Sequence, residues 1–137
     1  MGGCRYTKIG GNMFRVIVAG GRDFTNYNGL AASLDYLLKN INDEIVVVCG
    51  MARGADRLGE RYAKEHGYKI RYFPADWDID GKAAGFIRNV KMAENADALV
   101  AFWDGKSAGT KHMIETAQSK GLAVRIKRYQ IIGGTHG

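Results

Sequence analysis

The residues with the plainest capacity for chemistry stand in the stretch Gly50-Met51-Ala52-Arg53-Gly54-Ala55-Asp56. Small residues surround one arginine just before a helical pattern. Backbone N–H groups at a helix start have no partner within the helix, and with the helix dipole they attract a phosphate. Arg53 could add a bidentate contact, and Asp56 could cap the helix or order the turn. The competing reading is a glycine-rich connection with a surface arginine, yet a bare connection needs few residues and few glycines.

A second stretch repeats the theme. Trp103-Asp104-Gly105-Lys106-Ser107-Ala108-Gly109-Thr110 again sets glycine, serine and threonine before a helix start. It offers a second anion site. Glu115 follows in that helix, as a candidate carboxylate or an ordinary solvated residue. Arg88 and Asn89 lie on the preceding helix, where Arg88 is either a surface charge or a lateral contact to the site. Gly20-Gly21-Arg22-Asp23-Phe24 allows close approach of backbone to a ligand. It is not a dinucleotide fingerprint, because the third glycine with its helix start is missing and no acidic residue ends the second strand. An ordinary NAD dehydrogenase is therefore not expected. Asp76-Trp77-Asp78-Ile79-Asp80-Gly81 resembles the start of a calcium loop, but position twelve is Ile87 rather than a bidentate glutamate. Trp77 can stack on a base or close the edge of the core.

These loops need a scaffold that brings them together, and the apolar pattern supplies one. Short apolar runs at Phe14–Ala19, Ile45–Cys49, Lys69–Phe73, Ala98–Phe102 and Leu122–Ile126 predict strands. Helical spacing predicts helices over Asn28–Asn40, Ala55–His66, Lys82–Asn95 and Thr110–Lys120, with Gly67 and Gly121 as C-terminal stops. Alternation of this kind predicts an α/β, Rossmann-like, doubly wound, mostly parallel five-stranded sheet with helices on both faces. In such sheets a ligand binds beyond the carboxyl ends of the strands, which is where the four loops lie.

Composition narrows the class. The 137 residues suit one domain, with 46% hydrophobic and 25% charged residues as in ordinary globular proteins. The formal charge of +6 and pI near 9.4 fit an anionic partner, or simply a basic surface. The two cysteines, Cys4 and Cys49, and the three histidines make no metal spacing, so neither metal nor cofactor is expected. No run approaches membrane-spanning length and no signal peptide is visible, so a cytoplasmic protein is expected. Residues 1–12 read as a disordered extension, with Met13 as the native start or one of two. Residues 13–128 read as the domain, and 129–137 as a tail.

Taken in order, Val18–Phe24, Cys49–Asp56, Ala75-Asp76-Trp77, Arg88-Asn89 and Gly109-Thr110 resemble the YspA-like branch of the SLOG superfamily, over about Met13 to Ile126. The resemblance implies a Rossmann-like fold that binds or processes nucleotide-derived ligands, often in phage–host conflict. It implies a sensor or sequestering protein for a nucleotide, ADP-ribose or a cyclic signalling derivative, and a homodimer. Two related branches imply alternatives. Arg88, Met92, Ala96 and Asp97, with Gly109-Thr110, are similar to motifs of the lonely-guy phosphoribohydrolases, which cleave the base–ribose bond of nucleoside monophosphates. In that reading Arg88 orients the substrate and Glu115 or Asp104 supplies the carboxylate. The chain departs from the hydrolase pattern: Lys106-Ser107-Ala108 replaces Pro-Gly-Gly, and His112 and Met113 replace two glutamates. Gly50–Asp56 is also similar to a motif of the DNA-processing DprA/Smf branch, which implies single-stranded DNA binding as a third function. The implied ligand-binding set is Gly20, Gly21, Arg22, Asp23, Gly50, Met51, Ala52, Arg53, Gly54, Asp56, Trp77, Arg88, Asn89, Trp103, Asp104, Ser107, Gly109 and Thr110.

Overall fold

A computed structural model describes residues 12–130. The expectations for residues 1–11, including most of the proposed extension, and for residues 131–137 lie outside the described residues.

The chain alternates strand and helix: β1 (Met13–Gly20), α1 (Tyr27–Leu38), β2 (Glu44–Cys49), α2 (Ala55–His66), β3 (Lys69–Tyr72), α3 (Trp77–Asp80), a 3-10 turn (Gly81–Ala83), α4 (Ala84–Glu94), β4 (Ala98–Trp103), α5 (Ala108–Ser119) and β5 (Ala123–Arg128). The strands form one sheet in the order β3-β2-β1-β4-β5. Every neighbouring pair is parallel. The protein is thus a Rossmann-like α/β fold.

Side chains alternate across a strand, so each strand feeds two cores. Val16, Val18, Val47, Val100 and Phe102 pack with Leu30, Leu34 and Tyr62 from α1 and α2. Ile17, Ala19, Val48, Leu99 and Ala101 pack on the opposite face with Met92, Met113, Ile114 and Ala117 from α4 and α5. Helices on both faces explain why the central strands are apolar at successive positions rather than alternating. Burial of each leucine side chain in these layers contributes about 2 kcal/mol. Gly59 lets α2 lie close to the sheet, since a Cβ there would stand 2.7 Å from the Val18 Cβ.

Helix boundaries follow local chemistry. The Asn26 side chain accepts the Gly29 N–H and starts α1. Gly67 ends α2 in the left-handed region at φ 71°, its N–H returning to Ala63 and Lys64. The acidic segment before the helix expected at Lys82–Asn95, read from sequence as a loop, contains a helical turn at Trp77–Asp80. Asp76 caps it by accepting the Ile79 N–H at 3.2 Å, and Gly81 breaks it at φ 60°. Among the described residues no helix is long and apolar enough to cross a membrane.

The strand order reverses direction at β1. Its first connection runs toward β2, while β4 enters on its other side. The loops after β1 and β4 therefore diverge and open a crevice at the carboxyl edge of the sheet.

Candidate functional site

That crevice is a cleft of about 360 Å³. Its floor is the end of β1, where glycine is required by close approach. Gly20 packs on the Phe102 carbonyl, which a Cβ would meet at 2.4 Å. The Gly21 N–H donates to that same carbonyl at 3.0 Å. The Gly21 carbonyl then accepts from both Phe24 and Ala55, each at 3.2 Å. Through the second of these bonds the first loop holds the start of α2. Gly54, at φ 75°, seats against Gly21 and Arg22 in the same contact.

The Gly50–Asp56 turn is folded around the protein's own carboxylate. Asp56 is 5% exposed and accepts the Ala52 N–H at 3.3 Å. Met51 takes a left-handed φ of 65°, its N–H on the Cys49 sulfur at 3.4 Å. Burial pushes the Asp56 carboxyl up to about 6, against the partial opposition of the Ala52 N–H and the Arg88 charge. Burial likewise pushes the Cys49 thiol up to about 11, so it stays protonated and unreactive at neutral pH.

The fourth loop presents a helix start. The Ser107 hydroxyl caps α5, accepting from the Thr110 N–H at 3.5 Å and the Thr110 hydroxyl at 3.3 Å. Asp104 Oδ1 accepts the Lys106 and Ser107 N–H groups at 2.8 and 2.9 Å. Those bonds hold its carboxyl below the usual carboxylate range. The N–H groups of Ala108 and Gly109 have no hydrogen-bond partner among the described residues. They form part of the dipole-positive end of a twelve-residue helix.

Helix α4 forms the lateral wall. Arg88 Nε donates to Asn89 Oδ1 at 3.1 Å, and Arg88 Nη1 donates to the Gly50 carbonyl. Asn89, 6% exposed, reaches the Gly109 carbonyl at 3.4 Å and His112 Nδ1 at 3.2 Å. Two residues thus tie the second loop, α4 and α5 together.

The structure gathers most of the residues singled out from sequence. Gly20, Gly21, Arg22, Asp23, Ala52, Asp56, Trp77, Arg88, Asn89, Asp104, Ser107, Gly109 and Thr110 all line the cleft. Gly50, Met51 and Arg53 line an adjoining hollow of about 460 Å³ with Arg22, Ala52, Trp77 and Arg88. Gly54 lines neither and acts through its contact with the first loop. Trp103 also lines neither: its indole N–H donates to the Ser107 carbonyl and its ring lies under Arg128. Glu115 is exposed on α5 and lines neither space.

Sequence reasoning missed Lys82, Gly85, Phe86 and Tyr129, which also line the cleft. Positions 82, 85, 86 and 89 share one helical face, so spacing counted back from Asn89 would have found the first three. Phe86 stacks on His112 with ring centres 4.2 Å apart. Tyr129 falls in the expected tail, yet its N–H continues the sheet to the Trp103 carbonyl and its ring meets Phe24 edge-on at 4.9 Å. No group of three or more metal-ligating side chains occurs among the described residues.

Comparison with known proteins agrees with this fold. Residues 14–79 match the YspA, cpYpsA-related SLOG family. The Gene 61 protein of Mycobacterium phage D29 is 36% identical over 118 residues, covering 82% of this chain and 94% of that protein. The X-ray structure of DNA processing protein A (DprA) from Streptococcus pneumoniae superposes with a TM-score of 0.67 at 20% identity, covering 89% of this chain but only 53% of that one. That of TM1055 superposes with a TM-score of 0.61 at 20% identity, covering 82% of this chain and 72% of that one. At such identity these structures speak to the fold. With its glycine-floored crevice at the β1–β4 switch point and a phage relative over nearly its full length, the chain belongs to the YspA, cpYpsA-related SLOG family.

Proposed function

We propose that the cleft binds a phosphorylated, nucleotide-derived small molecule, and that the protein acts as a sensor or sequestering protein for it. One observation carries this reading: Gly109 at the start of α5, the glycine floor of β1 and the Arg88 side wall all line one cleft. A phosphate suits the α5 start, where Ala108 and Gly109 donate and the Ser107 and Thr110 hydroxyls lie beside them. The Asp23 and Asp104 carboxylates, on the same cleft, are acceptors for ribose hydroxyls. Trp77 and Phe86, both largely exposed, are faces for a base. The same carboxylates oppose a nucleic-acid backbone threaded through the cleft, which ranks single-stranded DNA below a small molecule.

The test is calorimetric titration with AMP, together with mass spectrometry of small molecules released on denaturing the purified protein. AMP should bind, and Arg88→Ala should weaken it by about tenfold or more. Absence of any nucleotide-class ligand in both measurements would overturn the reading. Sedimentation velocity tests the accompanying proposal of a homodimer.

A second reading, hydrolysis of the base–ribose bond, has one observation in its favour. Two carboxylates on the same cleft are driven apart in proton affinity, Asp56 upward and Asp104 downward, as an acid and its ionised counterpart require. Release of free base from AMP, abolished in Asp104→Asn and Asp56→Asn, would establish it. Glu115→Gln tests the carboxylate that the family resemblance suggests.

A further inference from the structure

The cleft does not end at Arg88. The second hollow adjoins it and shares four lining residues with it: Arg22, Ala52, Trp77 and Arg88. The two differ in charge. The cleft sets Arg22, Lys82 and Arg88 against Asp23, Asp56 and Asp104. The hollow is lined by Arg22, Arg53 and Arg88 and by no carboxylate. Arg22 and Arg53 are exposed and have neither an ion pair nor a side-chain hydrogen bond among the described residues. The contact of Gly54 with Gly21 and Arg22 brings their two turns together, so both side chains start from adjoining backbone.

Arg88 already faces the Asp56 carboxylate, but Arg22 and Arg53 line the hollow without a counter-ion, and an anion there relieves the repulsion between like charges. Guanidinium groups are also suited to bidentate contact with phosphate or carboxylate oxygens. The cleft already offers one anion position at the start of α5, whose residues line the cleft and not the hollow. Resting on the nucleotide reading above, we propose that the ligand carries two anionic groups, and that the Arg22–Arg53–Arg88 hollow holds the second. The ligand class is then a nucleotide bisphosphate or a diphosphate-linked nucleotide rather than a nucleoside monophosphate. Arg88 lies at the junction, with its Nε and Nη1 already committed to Asn89 and Gly50, and so sets the boundary between the two positions. A longer polyanion is disfavoured because it would carry phosphates past Asp23 and Asp104.

The test compares three probes by calorimetry: AMP, adenosine 3′,5′-bisphosphate and ADP-ribose, on the parent protein and on Arg53→Ala and Arg22→Ala. Both arginines are exposed, and a thermal melt checks that each variant folds. At least one of the two-anion probes should bind about tenfold tighter than AMP. Each variant should erase that advantage, bringing the two-anion probes to within about twofold of AMP on the same variant. Equal affinity for all three probes, or an advantage that survives both variants, would overturn the second position while leaving the nucleotide reading intact. Failure of all three probes to bind would overturn both. A steeply salt-dependent affinity for oligo(dT), lost in Arg53→Ala and unmatched by any of the three probes, would assign the hollow to nucleic acid and overturn the proposal.

Discussion

The Ala55 amide donates to the Gly21 carbonyl at 3.2 Å, and this bond joins the loop after β1 to the first turn of α2. It forms only because Gly54 lets the two backbones touch. A Cβ on Gly54 would stand 2.1 Å from the Gly21 carbonyl oxygen and 2.7 Å from the Arg22 Cα, at a φ of 75°. Gly54→Ala should therefore cost about 3 kcal/mol, combining left-handed strain with a backbone collision. Gly67→Ala is the control. It has the same sign of φ but open space around it, and should cost only about 1 kcal/mol. Urea denaturation of the two variants checks the difference, and equal losses would mean the loop contact is dispensable.

Asp56 makes stability depend on pH in an unusual direction. The unfolded carboxyl titrates near 3.8 and the folded one near 6. Between these values the folded state binds more protons than the unfolded state, so stability falls as pH rises through the window and levels off above it. The fall attributable to this group is about 3 kcal/mol. Asp56→Asn should flatten that part of the profile and stabilise the protein at neutral pH by about 2 kcal/mol. Melting curves across the window would reveal it; parallel profiles for parent and variant would contradict it.

Asp97 works in the opposite sense. Its burial would raise the carboxyl, but Arg15 outweighs that through its backbone N–H at 2.8 Å and its guanidinium at 3.1 and 3.2 Å, and holds the carboxyl down. Its contribution is present above the unfolded value of 3.8 and lost as pH falls through the lowered folded value. Both side chains are about one-third exposed, so solvent screens the pair and Asp97→Asn should cost only about 1 kcal/mol. Parent and variant should converge in acid, measured by denaturant melts at a series of pH values.

Tyr129 separates packing from hydrogen bonding. Its hydroxyl is buried with no hydrogen-bond partner among the described residues, while its ring packs on Phe24 and over Gly21. Tyr129→Phe should be neutral or stabilising by about 1 kcal/mol, because it removes a buried polar group and keeps the ring. Tyr129→Ala should lose about 2 kcal/mol. Thermal unfolding of both variants decides it, and a destabilised phenylalanine variant would reveal an essential contact of the hydroxyl.

The fold was legible because its central strands are apolar at successive positions and its helices are punctuated by Gly67 and Gly121. The edges were harder. β5 continues to Arg128 although it carries Arg125, Lys127 and Arg128, since an edge strand needs only its backbone pairing with β4. Leu122 falls outside that strand because its N–H closes the end of α5 on the Ala117 carbonyl. Most loop residues singled out from sequence line one cleft, because glycines and capping hydroxyls advertise themselves. Trp103 misled for a reason of period. Phe102 and Trp103 face opposite sides of the sheet, and a tryptophan at a strand end carries no mark of which side is the site. Lys82 and Phe86 were obscured because nothing in their types signals a wall; only their spacing from Asn89 does.

The cleft has two parts of separate origin in the chain. Its glycine floor belongs to the strand ends, where almost any substitution collides with backbone. Trp77, Lys82, Phe86 and Arg88 belong to one uninterrupted excursion between β3 and β4. Trp77, Lys82 and Phe86 are exposed. A lineage under pressure to recognise a new molecule can therefore change the exposed positions of this one segment and leave the strands of the sheet untouched. Recombination confined to that segment would exchange selectivity as a cassette.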